Sequence, residues 1–220
     1  MNVSLIYTAK TEALAERLHE CVRAAFGTDT SIREYQDLSA LTESAKAGHV
    51  TAAAAARYAG LCLTAIDEDA DLVLSTCCVM GDVARALQPM ADFTGTRLVS
   101  IDEGFCRAAV TSGSHMLVLA TAGLAALSVN HTIELEKRKL RAFPQVDTII
   151  VSETAGLAGD ALSERLLEAA RPRLDDIDTI VLAQPSMAFS GDYLRTKTGL
   201  RVLTAIDDPL GQSDLEHAGR

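Results

Sequence analysis

The sequence predicts an α/β protein made of two similar halves, each with a parallel sheet and helices on both faces of that sheet. Short apolar runs that suit buried strands alternate with segments of helical periodicity along the 220-residue chain. Asp71 and Asp178, which precede two matching strands, lie 107 residues apart, and Arg97 and Arg201 in the next matching pair lie 104 residues apart. This near-constant offset, together with the paired strand endings SIDE and AIDD, favours an internal duplication over a chance likeness between two α/β segments.

The first half contains three predicted strands and three predicted helices. The strands are the apolar runs at residues 3–9, 71–76 and 96–103. The helices are either rich in Ala or carry apolar residues at helical spacing, and they lie at residues 12–26, 49–70 and 81–95. The stretch SIREYQDLSALTESAKAG, residues 31–48, is expected to be a loop with a short helix.

The same alternation starts again after residue 114. The next predicted strands lie at residues 115–122, 147–156, 178–186 and 200–208. The next predicted helices lie at residues 130–143, 161–177 and 190–199. We expect residues 1–100 plus 190–220 to form the first half, and residues 101–189 to form the second.

The net charge indicates which partners are disfavoured, and the cysteine content indicates the redox environment. The 30 acidic and 20 basic residues give a formal net charge of −10, which disfavours nucleic acid and anionic membranes as partners. No apolar run approaches the roughly 18 to 20 residues that span a bilayer, and the first residues do not resemble a signal peptide. The five cysteines are odd in number and match no metal-binding spacing, so we expect free thiols in a reducing cytoplasm.

Polar side chains gather where the predicted strands end. Ligands of parallel α/β sheets bind outside the carboxyl ends of the strands, and in a duplicated fold this places the expected site in the cleft between the halves. Hydroxyls, thiols and the backbone N–H groups of helix starts suit a carboxylate ligand. The strand-end residues include Thr8, Lys10, Thr11, Ser75, Thr76, Cys77, Cys78, Thr121, Ser152, Glu153, Gln184, Pro185 and Ser186. The chain has neither a Gly-rich phosphate loop nor a cluster of His residues.

The adjacent cysteines Cys77 and Cys78 have two interpretations. A thiol at the head of a helix is stabilised as a thiolate and can act as a base or nucleophile. Alternatively, either residue is a small apolar filler of the core. A redox role for the pair is disfavoured, because adjacent cysteines lack the spacing of reversible CxxC pairs.

Five segments together carry a family resemblance: LSTCCVMGDVARAL, RLVSIDEGFCRAAV, MLVLATAGLAAL, DTIVLAQPSMA and GLRVLTAID. They resemble segments of the aspartate/glutamate racemase superfamily. The first is similar to the strand, turn and helix that carry the first cysteine of that family, and the second is similar to the segment that follows. MLVLATAGLAAL resembles the element that opens the second half of the family fold. DTIVLAQPSMA and GLRVLTAID resemble its last two strands. The resemblance covers most of the chain, in the right order and spacing.

The resemblance implies two flavodoxin-like halves related by a pseudo-two-fold axis, with the active-site cleft between them and no cofactor or metal. In the family's racemases two cysteines face each other across the substrate and exchange its α-proton. The first cysteine corresponds to Cys77, and Cys78 stands where Ser or Thr is usual. The second cysteine is replaced by the segment Gln184, Pro185 and Ser186. The residues that would then hold the substrate are Thr8, Thr76, Cys78, Thr121, Gln184 and Ser186.

These observations predict a cofactor-independent racemase or isomerase that acts next to a carboxylate, with Cys77 as acid, base or nucleophile. Two alternatives stay open: a single-cysteine decarboxylase of the arylmalonate type, and a catalytically silent protein that binds a carboxylate. The resemblance further implies a homodimer. The expected partner is a small substrate that bears a carboxylate.

Overall fold

The computed structural model describes residues 1–211, which form two compact units. One unit comprises Met1–Ile101 with the segment from Pro209, and the other comprises Asp102–Asp208. Residues 190–208 were expected in the first half but belong to the second unit, because the last strand of this segment pairs with a strand of that unit. Residues 212–220, the end of the predicted first half, lie outside the described part.

Both units alternate strands with helices. The strands are β1 (Asn2–Tyr7), β2 (Ser31–Gln36), β3 (Leu72–Ser75), β4 (Arg97–Ser100), β5 (His115–Ala120), β6 (Gln145–Ile150), β7 (Thr179–Leu182) and β8 (Arg201–Leu203). The helices are α1 (Glu12–Phe26), α2 (Leu38–Ala47), α3 (Ala52–Asp67), α4 (Gly81–Thr94), α5 (Ile101–Ser112), α6 (Gly123–Leu140), α7 (Gly159–Ala170) and α8 (Gly191–Thr198). Short 3-10 helices cover Cys78–Met80, Arg171–Arg173 and Pro185–Ser190.

The two sheets have the same strand order, which confirms the predicted duplication. The first sheet is ordered β2-β1-β3-β4 and the second β6-β5-β7-β8, and every pairing is parallel. Leu72 of β3 pairs with Arg97 of β4, and Thr179 of β7 pairs with Arg201 of β8. The matching arginines of the sequence therefore occupy the same register in the two sheets.

Strand β2 was not predicted, and residues 31–48 form this strand and helix α2 rather than a loop with a short helix. The sequence SIREYQ has no apolar run, because β2 lies at the edge of its sheet and most of its side chains reach solvent. Charged residues on an edge strand also discourage pairing with other chains. The central strands β1 and β3 are buried throughout almost their whole length, as their apolar sequences predict.

Matching aspartates hold the start of each central strand. The Asp71 carboxylate accepts the backbone N–H of Asn2 at 2.6 Å, and the Asp178 carboxylate accepts that of Ser114 at 2.7 Å. Burial raises the pKa of the Asp178 carboxyl, but hydrogen bonds from Ser114, Thr179 and His115 outweigh this effect and lower the pKa to about 2. In residues 1–211 no helix has both the length and the apolar character of a membrane span.

Candidate active site

The carboxyl ends of β1 and β3 lie side by side and bring four predicted site residues to one edge of the first sheet. Thr8 follows β1, while Thr76, Cys77 and Cys78 follow β3, its parallel neighbour. All four are buried, and Cys77 is the most exposed of them at 7%. The backbone N–H and the hydroxyl of Thr76 both donate to the carbonyl oxygen of Ile6, at 3.0 and 2.9 Å. These bonds continue the contact between the strands beyond the last ladder pair.

Cys77 stands where an extended chain turns into a helix. Its backbone is extended, with φ −120° and ψ 109°, and its carbonyl oxygen accepts the N–H of Met80 at 3.0 Å. The 3-10 helix that starts at Cys78 runs directly into α4. The first N–H groups of a helix have no partner within the helix, and together with the helix dipole they stabilise negative charge. The position of Cys77 therefore suits a thiol that becomes a thiolate.

A buried tyrosine lies beneath this strand end. The hydroxyl of Tyr58, on α3, lies 2.7 Å from Ser75 Oγ and donates to the Ile6 carbonyl oxygen at 3.1 Å. Burial and then the negative charge of nearby thiolates, chiefly that of Cys77, raise the pKa of Tyr58 well above its usual value. The phenol is therefore neutral at physiological pH. No sequence pattern points to Tyr58, because it occupies an apolar position in an ordinary helical pattern.

The remaining thiols lie on helices. All five cysteines are within the described chain, and none forms a disulfide bond. Burial raises the pKa of the Cys62 thiol to about 12. Cys21, on α1, is only half-buried, and burial is again the main cause that raises its pKa. Cys106 is fully buried on α5.

The cation at this edge is already paired. The Lys10 ammonium, two residues beyond Thr8, donates to a carboxylate oxygen of Glu34 at 2.5 Å, and His19 lies 3.1 Å from the other oxygen. Burial raises the pKa of Glu34, but its bonds to Lys10 and His19 lower it overall. Lys10 thus offers little unbalanced charge to an anionic ligand.

The second unit has a corresponding strand end that is built differently. Thr121 follows β5 and Gln184 lies two residues beyond β7, as Thr8 and Cys77 do in the first unit. The carboxamide oxygen of Gln184 accepts both the backbone N–H of Thr121, at 2.7 Å, and its hydroxyl, at 3.0 Å. The oxygen is therefore occupied, and Gln184 can offer a ligand its amide N–H groups. Ser186 is exposed on the 3-10 helix that follows.

The structure thus gathers the predicted site residues into two sets. Thr8, Thr76, Cys77 and Cys78 form one set, and Thr121, Gln184 and Ser186 lie in the other. That both sets contact one substrate stays a prediction. Within residues 1–211, no group of three or more His, Cys, Asp or Glu side chains is placed to hold a metal ion.

No family model and no curated protein matches the chain. Solved structures do match it. An allantoin racemase from Klebsiella pneumoniae has a TM-score of 0.65 and 16% identity over 100% of this chain and 89% of its own. A glutamate racemase from Bacillus anthracis has a TM-score of 0.72 and 12% identity, over 99% of this chain and 82% of its own.

Two further matches carry out other reactions. A maleate cis-trans isomerase variant from Nocardia farcinica, solved with a covalently bound succinylcysteine intermediate, has a TM-score of 0.62 and 13% identity over 99% of this chain and 92% of its own. An arylmalonate decarboxylase variant matches as well. The chain therefore has the fold of the Asp/Glu racemase superfamily, with two similar α/β units that each contain a four-stranded parallel sheet.

Proposed function

We propose that this protein is a cofactor-independent enzyme of the racemase or isomerase type that acts at a carbon next to a carboxylate, with Cys77 as its reactive group. The observation that supports this most directly is the place of Cys77, at the carboxyl end of a central strand and the start of a helix. The racemases and isomerases that share the fold make the same class of reaction the natural proposal.

The simplest reaction at such a thiol is proton transfer. The Cys77 thiolate takes the proton from the carbon next to the carboxylate, so that the C–H bond breaks and an S–H bond forms. The electron pair of the C–H bond moves into an enolate that the carboxylate shares. If the S–H group exchanges its hydrogen with solvent and the same thiol then protonates the carbon, the carbon gains a solvent hydrogen and the configuration is kept. Inversion requires a donor on the opposite face, for which Cys78, Ser186 and a water molecule are the candidates.

A nucleophilic role for Cys77 is the second use of the same group. The thiolate would add to one carbon of the double bond of an unsaturated acid, so that a C–S bond forms as the π bond breaks, and the neighbouring carbanion would take up one proton. After rotation about the resulting single bond, loss of that proton and of the thiolate would restore the double bond in the other geometry and free Cys77. The covalent succinylcysteine in the Nocardia farcinica isomerase supports this use, because a cysteine of that protein bonds to the carbon skeleton of its ligand.

The proposal rests on a single thiol because Gln184 takes, in the second unit, the position that Cys77 takes in the first. Gln184 follows β7 at the same distance as Cys77 follows β3, and a carboxamide is neither an effective acid nor an effective base near neutral pH. We assign Gln184 to substrate binding through its amide N–H groups, together with Thr8, Cys78 and Ser186. Thr76 and Thr121 have already donated their hydroxyl protons, to Ile6 and Gln184, so they support these positions or accept hydrogen bonds.

Thiol labelling tests the proposal with a control that the chain itself contains. Cys21 is half-buried, whereas Cys77 is only 7% exposed. If access alone sets the rate, iodoacetamide alkylates Cys21 first. If Cys77 is activated, it reacts first in spite of its burial, and we expect this order at neutral pH. Mass spectrometry of timed samples reads both rates in one reaction, and alkylation of Cys21 before Cys77 would contradict the proposal.

A further inference from the structure

Three buried hydroxyl groups meet below Cys77. Tyr58 and Ser75 are fully buried, and Thr76 nearly so. When Tyr58 donates to the Ile6 carbonyl, its oxygen accepts the proton of Ser75, and the same carbonyl also receives the two bonds from Thr76. This network ties α3 and the ends of β1 and β3 together, immediately before the thiol. Breaking one of these hydrogen bonds would leave a buried hydroxyl without a partner, which costs free energy. The network therefore restrains the three segments that it joins.

The fold itself does not require these hydroxyls. The second unit has the same strand order, and the N–H of Ala183 donates to the Leu119 carbonyl just as that of Thr76 donates to Ile6. The residue before Ala183 is Leu182, which thus corresponds to Ser75. Leu182 packs in one apolar cluster with Leu166 of α7, the helix that precedes β7 as α3 precedes β3. The position that corresponds to Ser75 is therefore filled by an apolar side chain in the second unit.

The hydroxyl network occurs in the unit that carries Cys77, and the apolar arrangement occurs in the unit that carries Gln184. Apolar packing is commonly at least as stable as a buried polar network of similar size, so stability alone does not account for the hydroxyls. The Tyr58 phenol also lies within electrostatic reach of the thiols of Cys77, Cys62 and Cys78.

We propose that Tyr58 is a positioning residue for Cys77. Acting through Ser75 and the Ile6 carbonyl, it holds the end of β3 so that Cys77 stays at the start of the 3-10 helix that leads into α4. This inference rests on the proposed role of Cys77 as the reactive thiol. Tyr58 itself contacts no substrate and transfers no proton.

Tyr58→Phe removes the hydroxyl and keeps the ring, and the readout is the alkylation rate of Cys77 as a function of pH. A loosened strand end moves the thiol away from the start of the helices, where the helix dipole favours a thiolate. We therefore expect alkylation at neutral pH to slow by about threefold to tenfold, the span that one lost hydrogen bond produces, and the pH profile to move upward. Tyr35→Phe is the matched control, because that hydroxyl donates to Glu68 at 2.8 Å on edge strand β2, and it should leave the rate unchanged.

Ser75→Ala breaks the same contact from the other side, and it serves if Tyr58→Phe fails to fold. We expect it to slow Cys77 in the same way, and the double variant to be no slower than the more affected single variant, since the two hydroxyls act through each other. An unchanged or faster rate in the single variants overturns the positioning role alone. Slow labelling of Cys77 in the wild-type protein, behind Cys21, overturns both this role and the proposed function.

Discussion

Gln184 links the carboxyl ends of β5 and β7 in the second unit. The loss of stability on replacing it can be worked out from the hydrogen bonds that it accepts. Gln184→Met keeps the length of the side chain and removes the oxygen that accepts two hydrogen bonds from Thr121, at 2.7 and 3.0 Å. One such bond contributes about 0.5 to 1.5 kcal/mol net. Because Thr121 is only half-buried and water can replace part of the loss, we expect the free energy of unfolding to fall by about 1 to 2 kcal/mol.

Urea unfolding followed by far-UV circular dichroism measures this change. Gln184→Glu is the matched control, because it keeps an acceptor oxygen at the same place. We expect the Glu variant at neutral pH to lose less than half of the stability that the Met variant loses. Equal losses in the two variants, or a Met variant as stable as the wild type, would refute the idea that Gln184 acts here as an acceptor for Thr121.

Two further predictions concern stability. Asp178 ionises with a pKa of about 2, below its ordinary value of 3.8, so its carboxylate stabilises the fold above pH 4 and loses this effect as the pH falls from about 4 to about 2. Asp178→Asn should cost about 1 kcal/mol at pH 7 in urea unfolding, and a penalty that persists at pH 2 would contradict this origin. Gly104→Ala places a Cβ within 3.0 Å of the side chain of Asp208 and closer still to its carbonyl oxygen, and should lower stability by about 1 to 3 kcal/mol. Gly60→Ala on α3 meets no atom within 4 Å and should be neutral or stabilising, so similar losses in both would exclude the steric explanation.

The sequence predicted the parts of the fold in which apolar pattern and burial coincide. Strands β1, β3, β5 and β7 are central and buried, so the apolar runs in their sequences predict them. Edge strand β2 was missed because half-solvated strands need no apolar run. The segment 190–208 was assigned to the wrong half, because the pairing of β8 with β7 depends on tertiary structure that local patterns do not encode.

The candidate site was predictable to a similar degree. Cys77 and Gln184 lie at the carboxyl ends of strands. In a parallel α/β fold, the order of strands and helices in the sequence is enough to predict which residues lie there. The hydrogen bonds that the Thr76 and Thr121 hydroxyls donate could not be predicted from the sequence, because they depend on the side-chain rotamers and on which acceptor lies nearby after folding. Tyr58 was missed since its partners, Ser75 and Ile6, are far from it in the chain and near only after folding.

Hydrogen exchange at carbon tests the role of Cys77 most directly. A panel of amino acids, dicarboxylic acids and cyclic ureides is incubated with the protein in D2O, and proton NMR follows the hydrogen next to each carboxylate or carbonyl. We predict that this signal decays for at least one compound with the wild-type protein and with Cys21→Ala, and that it persists with Cys77→Ala. Exchange at the wild-type rate in Cys77→Ala, or no exchange of any member of the panel with the wild-type protein, would contradict the assignment of Cys77 as the group that moves the proton.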